Sequence, residues 1–428
     1  MKLVILDPGH LHAALLQKNM VAAVDPDVHV YAPAGPDLDD YVRKIDGYNA
    51  RAAHPTRWRL HVHAGPDYLE RFAAERRGDV AVIAGNNARK TEYIERAVGA
   101  GFHTLADKPM AIDAAGFAGL ERAFATAGER GVLLYDIMTE RFEITSMLQK
   151  ALARVPAVFG TLETGTPAAP AVVKESVHHF AKLVSGAPVV RPAWFFDTAQ
   201  QGEGLVDITT HLVDLVQWAC LPDTALDGDR DVAVLGARRW PTVVAPADFG
   251  RVTGLPAIPP FLRKDVADDG RLHVYANGEI DYTLRGVHAK VRVLWNFEAP
   301  AGGGDTHYSL LRGTRANLVI RQGARERWQP VLHVEPAAGT SADALAPALA
   351  AAMAALQATY PGVGAARTGD AWEVLVPPAY HVGHEAHFGQ VADVFLRCVA
   401  AGALPAWEVP CMLAKYRTTT QALALARG

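Results

Sequence analysis

The chain has 428 residues, half of them hydrophobic and 21% charged, with a formal net charge of −4. That balance fits a soluble globular protein of two or three domains and gives no basic field to recruit nucleic acid or an anionic membrane. The three cysteines, Cys220, Cys398 and Cys411, lack metal-finger or redox-pair spacing, and so sparse a count points to a reducing compartment. No apolar run reaches the ~18 residues of a membrane span. The chain enters its first strand at once, without a charged leader, so a cytoplasmic protein is expected.

Through residue 150, short apolar strands alternate with helical stretches. Strands are predicted at Lys2–Asp7, Val28–Ala32, Trp58–Val62, Asp79–Ala84, Phe102–Ala106 and Val132–Asp136. Helices fall between them, such as Thr91–Ala100 and Asp113–Ala127. This alternation implies right-handed crossovers and a parallel, doubly wound α/β sheet. The unbroken apolar run Val80–Ala84 suits a strand buried on both faces.

Beyond about residue 155 the pattern changes. Val158–Glu163 and Val232–Arg238 read as strands, and Leu272–Ala276 and Ile280–Leu284 flank Asn277-Gly278, a hairpin signal. Val287–Trp295 alternates apolar with polar residues, as a half-buried strand does. Leu318–Arg321 and Trp372–Val376 add shorter strands. The alanine-rich Ser341–Thr359 reads as a helix, as do Gly204–Ala219, Ala386–Ala401 and Val409–Ala426. An α+β domain with a large mixed or antiparallel sheet is expected.

The turn after the first strand is Asp7-Pro8-Gly9-His10-Leu11-His12-Ala13. A dinucleotide-binding turn reads Gly-x-Gly-x-x-Gly there. Only the middle glycine, Gly9, is present; Asp7 and His12 take the other two places. Gly9 lets the backbone approach a pyrophosphate at a helix N-terminus, while Asp7 adds an unfavourable negative charge. Taken alone, the segment is equally a plain turn before a helix. The second strand ends without the acid that binds a ribose diol, and Asp37 is the nearest candidate.

Two distant motifs carry the chemistry. Asp107-Lys108-Pro109 follows a predicted strand, and a lysine at the carboxyl end of a parallel strand points into the ligand crevice. Asp207 and His211 lie four apart on a predicted helix and so share a face. An ammonium, a carboxylate and an imidazole together suit proton transfer from a sugar-like hydroxyl. With Gly101–Ala106 before the first motif and Gly202-Glu203-Gly204 before the second, they resemble the Gfo/Idh/MocA-type oxidoreductases, the family named after glucose–fructose oxidoreductase and inositol dehydrogenase. Lys174–Phe180 and Arg191–Asp197 look like the subgroup defined by an oxidoreductase C-terminal domain.

The resemblance implies a Rossmann-type domain over residues 1–150 and an α+β substrate-binding and oligomerisation domain over 151–428. It implies NAD or NADP as cofactor, held by Gly9, His10, Leu11, His12, Gly85, Asn86, Asn87, Asp107 and Lys108. Lys108, Asp207 and His211 would be catalytic, Arg141 would orient near the cleft, and Pro109 would follow a cis bond. Lys174, His179 and Trp194 are candidates to line a substrate pocket. The expected activity is hydride transfer between a nicotinamide and a hydroxyl-bearing carbon of a sugar, cyclic polyol or derivative. A homo-oligomer, dimer or tetramer, without a metal is expected.

Three alternatives remain open. One is a redox-elimination glycosidase on the same fold. Another is a binding protein with a degenerate nucleotide site. The third is a metal-dependent hydrolase, since His10 and His12 also resemble the His-x-His motif of amidohydrolase barrels, which hold Zn²⁺. Against the barrel, the alternation stops at six strands where eight are needed.

Overall fold

In the computed structural model, which describes residues 1–184 and 187–428, all six amino-terminal strands form where the apolar runs place them. They are β1 (Leu3–Leu6), β2 (Asp27–Ala32), β3 (Arg59–Ala64), β4 (Val80–Ile83), β5 (His103–Asp107) and β6 (Leu134–Ile137). All pair in parallel, in the order β3-β2-β1-β4-β5-β6. Every residue of β1, β4 and β6 is buried, which is why these strands lack polar alternation. The edge strand β3 has no second neighbour and carries Arg59, His61 and His63. The strand order reverses between β1 and β4, and the crevice beyond their carboxyl ends is where such sheets take ligands. An open six-stranded sheet rules out the eight-stranded barrel, and with it the hydrolase reading that rested on the barrel.

One local expectation fails in this sheet. The helix after the β1 turn is a single turn, His12–Leu15, so it offers little dipole to an anion.

The chain divides into two compact units: Met1–Thr139 with Val382–Thr420, and Glu140–His381 with Gln421–Gly428. This differs from a single boundary near residue 150, because the helix His384–Ala401 and most of Glu408–Arg427 belong to the first unit. Buried side chains hold them there. Asp136, on β6, accepts a hydrogen bond from Tyr416 at 2.8 Å and pairs with Lys415 at 2.7 Å. Tyr135 donates to Glu408 at 3.1 Å and stacks on Phe395.

The second unit holds the remaining strands: β7 (Val172–Ala181), the two-residue β8 (Leu183–Val184) and β9 (Ala187–Pro188), β10 (Val232–Val244), β11 (Leu272–Leu284), β12 (Val287–Glu298), β13 (Thr306–Arg312), β14 (Ala316–Arg321), β15 (Val331–Pro336), β16 (Gly364–Thr368) and β17 (Ala371–Leu375). Nine of them form one mixed sheet, β10-β11-β12-β7-β13-β14-β15-β17-β16. β7 is parallel to β12 and antiparallel to β13. The predicted strand Val158–Glu163 is instead a helical turn, Pro156–Phe159, opened by proline at its first position. The alanine-rich segment is helical over Ala342–Leu356. Aromatic residues from β7, the Ala193–Phe196 turn and β12, including Phe180, Phe196 and Trp295, pack into one buried cluster with Val274 and Phe249. Among the described residues no helix is long and apolar enough to cross a membrane.

Asn277-Gly278 is not a hairpin. β11 runs straight through it, and the hairpin to β12 turns at Arg285-Gly286, where both residues have positive φ (49° and 81°). Asn277 is a buried connector within the sheet. Its amide donates to the Trp240 carbonyl at 3.1 Å and the Thr242 hydroxyl at 2.8 Å, and its oxygen accepts from the Trp295 N–H at 2.8 Å. Replacing Asn277 by alanine leaves these buried groups unpaired, at a cost of ~1–3 kcal/mol. The expected outcome is a lower denaturant midpoint for Asn277→Ala, measured by circular dichroism in urea; an unchanged midpoint would refute the connector role.

Candidate functional site

In the first unit, the polar residues gather where β1, β4 and β5 end. The β1 turn folds tightly. Asp7 takes a left-handed conformation (φ 48°), its carbonyl accepts from the Gly9 N–H at 2.8 Å, and the His10 N–H bonds the Ala84 carbonyl at 3.1 Å. Gly85 must be glycine, since a Cβ there would lie 2.2 Å from the Asp7 carbonyl oxygen. The Asp7 carboxylate turns away from the turn's backbone and accepts the Tyr93 hydroxyl at 2.8 Å. Burial raises its pKa, against the opposing effects of Tyr93 and Arg89. A Cβ on Gly9 would have the Asp37 carboxylate 3.1 Å away.

Asp107 is the buried anion of this region. Its Oδ2 lies 2.9 Å from Nδ1 of His12 and 3.9 Å from Nδ1 of His10. Burial alone would raise its pKa, but His12, Lys90 and His10 together hold it well below the usual carboxylate range. Burial lowers the pKa of both histidines, most strongly that of His10, which also feels His12. Asn86 accepts the Ala88 N–H at 3.0 Å and so caps the short turn that follows. Asn87 is buried and receives the Lys90 ammonium, which also reaches the Lys108 carbonyl at 3.5 Å. Lys90 was missed as a site residue, although its place three residues after Asn87 was the available signal. Lys108 is buried and precedes a cis peptide bond to Pro109. Leu11, by contrast, is exposed.

In the second unit, Gly204 fixes the entry to the Asp207 and His211 segment. A Cβ on Gly204 would lie 2.0 Å from the Ala276 carbonyl oxygen, and its N–H bonds the Tyr275 carbonyl at 3.0 Å. Asp207 lies in the turns before the helix Thr209–Cys220, and His211 lies in that helix's first turn. The expected single helix therefore starts five residues late. Asp207 accepts the Gln201 amide at 3.0 Å and borders a small recess with Phe180, Phe195 and Trp295. The buried Arg141–Asp214 pair anchors the helix, with two bonds of 2.7 Å. Arg141 therefore braces the His211 helix from within the unit.

The other pocket candidates divide. His179 is buried beside Asp305, with Nδ1 3.3 Å from its carboxylate; His178 and Lys182 share that carboxylate, and His178 stacks on Trp295. Arg191 bonds the carbonyls of Phe180 and His179, each at 2.8 Å, and lies over the Phe195 ring. Arg191 opens the Arg191–Asp197 stretch that stood out in the sequence, whereas no sequence signal marked Asp305. Trp194 is partly buried against the aromatic cluster. Lys174 does not line a pocket: it is enclosed at the centre of the sheet, donating to Ser309 at 2.7 Å and Gln149 at 3.1 Å.

Burial pushes the Lys174 amine down from 10.5 to about 8. Between those values the unfolded chain binds the proton more readily than the folded one. Stability should therefore rise with pH across that window and fall as pH drops through about 8. Lys174→Met should flatten this slope relative to wild type in denaturation curves taken from pH 8 to 10.5; parallel slopes would show that Lys174 stays charged when folded.

Residues 148–427 match the family described as "Putative oxidoreductase C terminal domain". Among solved structures, an oxidoreductase from Parabacteroides merdae, titled as putative, is 52% identical, with all of this chain and 97% of that one covered and a TM-score of 0.97. More distant likenesses show the fold. One is a structure titled as a putative myo-inositol dehydrogenase from Sinorhizobium meliloti (13% identity, 100% and 97% covered, TM-score 0.57). Another is KijD10, a 3-ketoreductase from Actinomadura kijaniata (16% identity, 100% and 97% covered, TM-score 0.56). No curated protein matches. On the match over residues 148–427 and the 52% identity, the chain belongs to the Gfo/Idh/MocA-type oxidoreductase family, in the branch that carries this C-terminal domain.

Proposed function

We propose that the chain is an NAD(P)-dependent oxidoreductase acting on a hydroxyl-bearing carbon of a sugar, cyclic polyol or derivative. The observation that carries this reading is the polar set at the switch point of the parallel sheet, with Lys108 directly after β5 and Gly9 after β1, beside the Asp37 carboxylate. The residues present fit a dinucleotide, because the Asp7 charge is turned onto Tyr93 and no side chain at position 9 blocks the turn. KijD10 has been seen with NADP on this fold, which supports the same class of cofactor here. The backbone of Gly9–His12 would hold the phosphates, with Asn87 and Lys108 further along. A bound nicotinamide supplies the hydride acceptor or donor.

The chain's own residues handle the oxygen and the proton. Lys108 holds the substrate oxygen and stabilises negative charge on it. His211 takes the hydroxyl proton on oxidation and returns it on reduction. Asp207 bonds a neighbouring hydroxyl or supports the charge on His211. His179 and Trp194 remain candidates for substrate contact. Assembly as a dimer or tetramer is part of this reading.

Asp37 sharpens the cofactor choice. A carboxylate beside Gly9 favours a ribose diol and repels a 2′-phosphate. NAD⁺ should therefore bind more tightly than NADP⁺ in calorimetric titrations, and Asp37→Ser should narrow the gap. Tighter binding of NADP⁺ would reverse the assignment. Lys108→Ala and His211→Ala should each lower turnover ~100-fold or more on whichever member of a sugar and inositol panel the wild type oxidises. Full turnover in either variant would remove that residue from the mechanism.

A further inference from the structure

His10, His12 and Asp107 form a side-chain cluster that the hydride-transfer reading leaves without a task. The two histidines sit in the turn after β1 and Asp107 ends β5, so two strands of one rigid sheet hold them, with β4 between. One ligand atom from each residue lies within 4.8 Å of the other two. Both histidines approach the same carboxylate oxygen, at 2.9 and 3.9 Å. Metal bonds of ~2.0–2.2 Å place neighbouring ligand atoms ~3–3.5 Å apart, so small shifts close this set around one ion.

The donor set also suits a metal, since two imidazole nitrogens and a carboxylate oxygen are ordinary ligands of zinc-class ions. The rings are half-enclosed rather than sealed, with side-chain exposures of 19% for His10 and 16% for His12. Lys90 and Lys108 oppose a cation through their charge, but the Lys90 ammonium is turned onto Asn87 and the Lys108 carbonyl. Among the described residues no other three such side chains gather as closely.

We propose that His10, His12 and Asp107 bind one divalent transition-metal ion of the zinc class. Two imidazoles and a carboxylate leave coordination positions open for water or a substrate oxygen. This goes beyond the proposed hydride transfer, which uses the backbone of the same turn.

The test uses the full chain stripped with EDTA and titrated separately with Zn²⁺ and Co²⁺. One ion should bind per chain by calorimetry, and cobalt should give the visible absorption of a low-coordinate site. His12→Ala and Asp107→Asn should each weaken binding by ~100-fold or more, beyond what loss of an outer-shell partner costs. His63→Ala, in the separate histidine cluster on β3, should change nothing. Should a variant fail to fold by circular dichroism, His10→Gln serves instead, and the rise in melting temperature that Zn²⁺ gives the wild type should vanish in it. No saturable binding by wild type, or equal binding by folded His12→Ala or His10→Gln, would overturn the proposal. Titrating NAD⁺ into the EDTA-stripped protein reads the dinucleotide site alone, so the two proposals fail independently.

Discussion

A carboxylate enclosed on a strand or just after one has to be paired, and three aspartates set that requirement in the first unit. Asp7 follows β1, Asp107 ends β5, and Asp136 lies on β6. Each meets it differently. Asp7 takes a tyrosine hydroxyl and is pushed towards its neutral form. Asp107 takes an imidazole and stays charged. Asp136 takes an ammonium and a phenol from the last helix, which ties that helix to this unit. The partner, more than the carboxylate, decides which strand end becomes reactive and which becomes structural.

The second unit follows the same logic with guanidinium partners. Asp214 is held by Arg141, and Glu203 by Arg239 and Arg427, with contacts of 3.0 and 2.8 Å to one oxygen. Both pairs fix the segment that carries Asp207 and His211, one before it and one after. Arg141 resembles a family residue near the cleft, and in this fold it pairs with Asp214. Losing either partner of such a buried pair costs ~3–5 kcal/mol. A constraint of that size ties Arg141 to the helix Thr209–Cys220.

The parallel sheet was legible because a strand buried on both faces has to be apolar throughout, and Val80–Ala84 or Leu3–Leu6 has few other uses. The Asp107-Lys108-Pro109 motif and the Asp207 and His211 pair, proposed for catalysis, stood out as local strings. What failed were signals whose meaning depends on distant contacts. Asn277-Gly278 has turn chemistry, but neighbouring strands satisfy the asparagine and Leu205 packs on the glycine, so tertiary contacts overrode it. Lys174 looked like a pocket residue until the sheet closed around it. Asp305 carried no signal, because only folding brings it to the histidines of β7.

The two departures in the β1 turn have separate causes. In a dinucleotide-binding turn, the third glycine lets a long helix pack closely against the strands. Here that helix is a single turn, so nothing demands a glycine at position 12. The space goes to an imidazole that reaches past the end of β4 to Asp107. The first glycine is replaced by an aspartate that tolerates positive φ and hides its charge on Tyr93. Only the middle position keeps its glycine, and it is the one where the backbone itself must stay open to a ligand. The turn lacks the glycine that would tighten it and the one that would serve helix packing, keeps the one at which a backbone can approach a ligand, and carries an aspartate and an imidazole in the other two places.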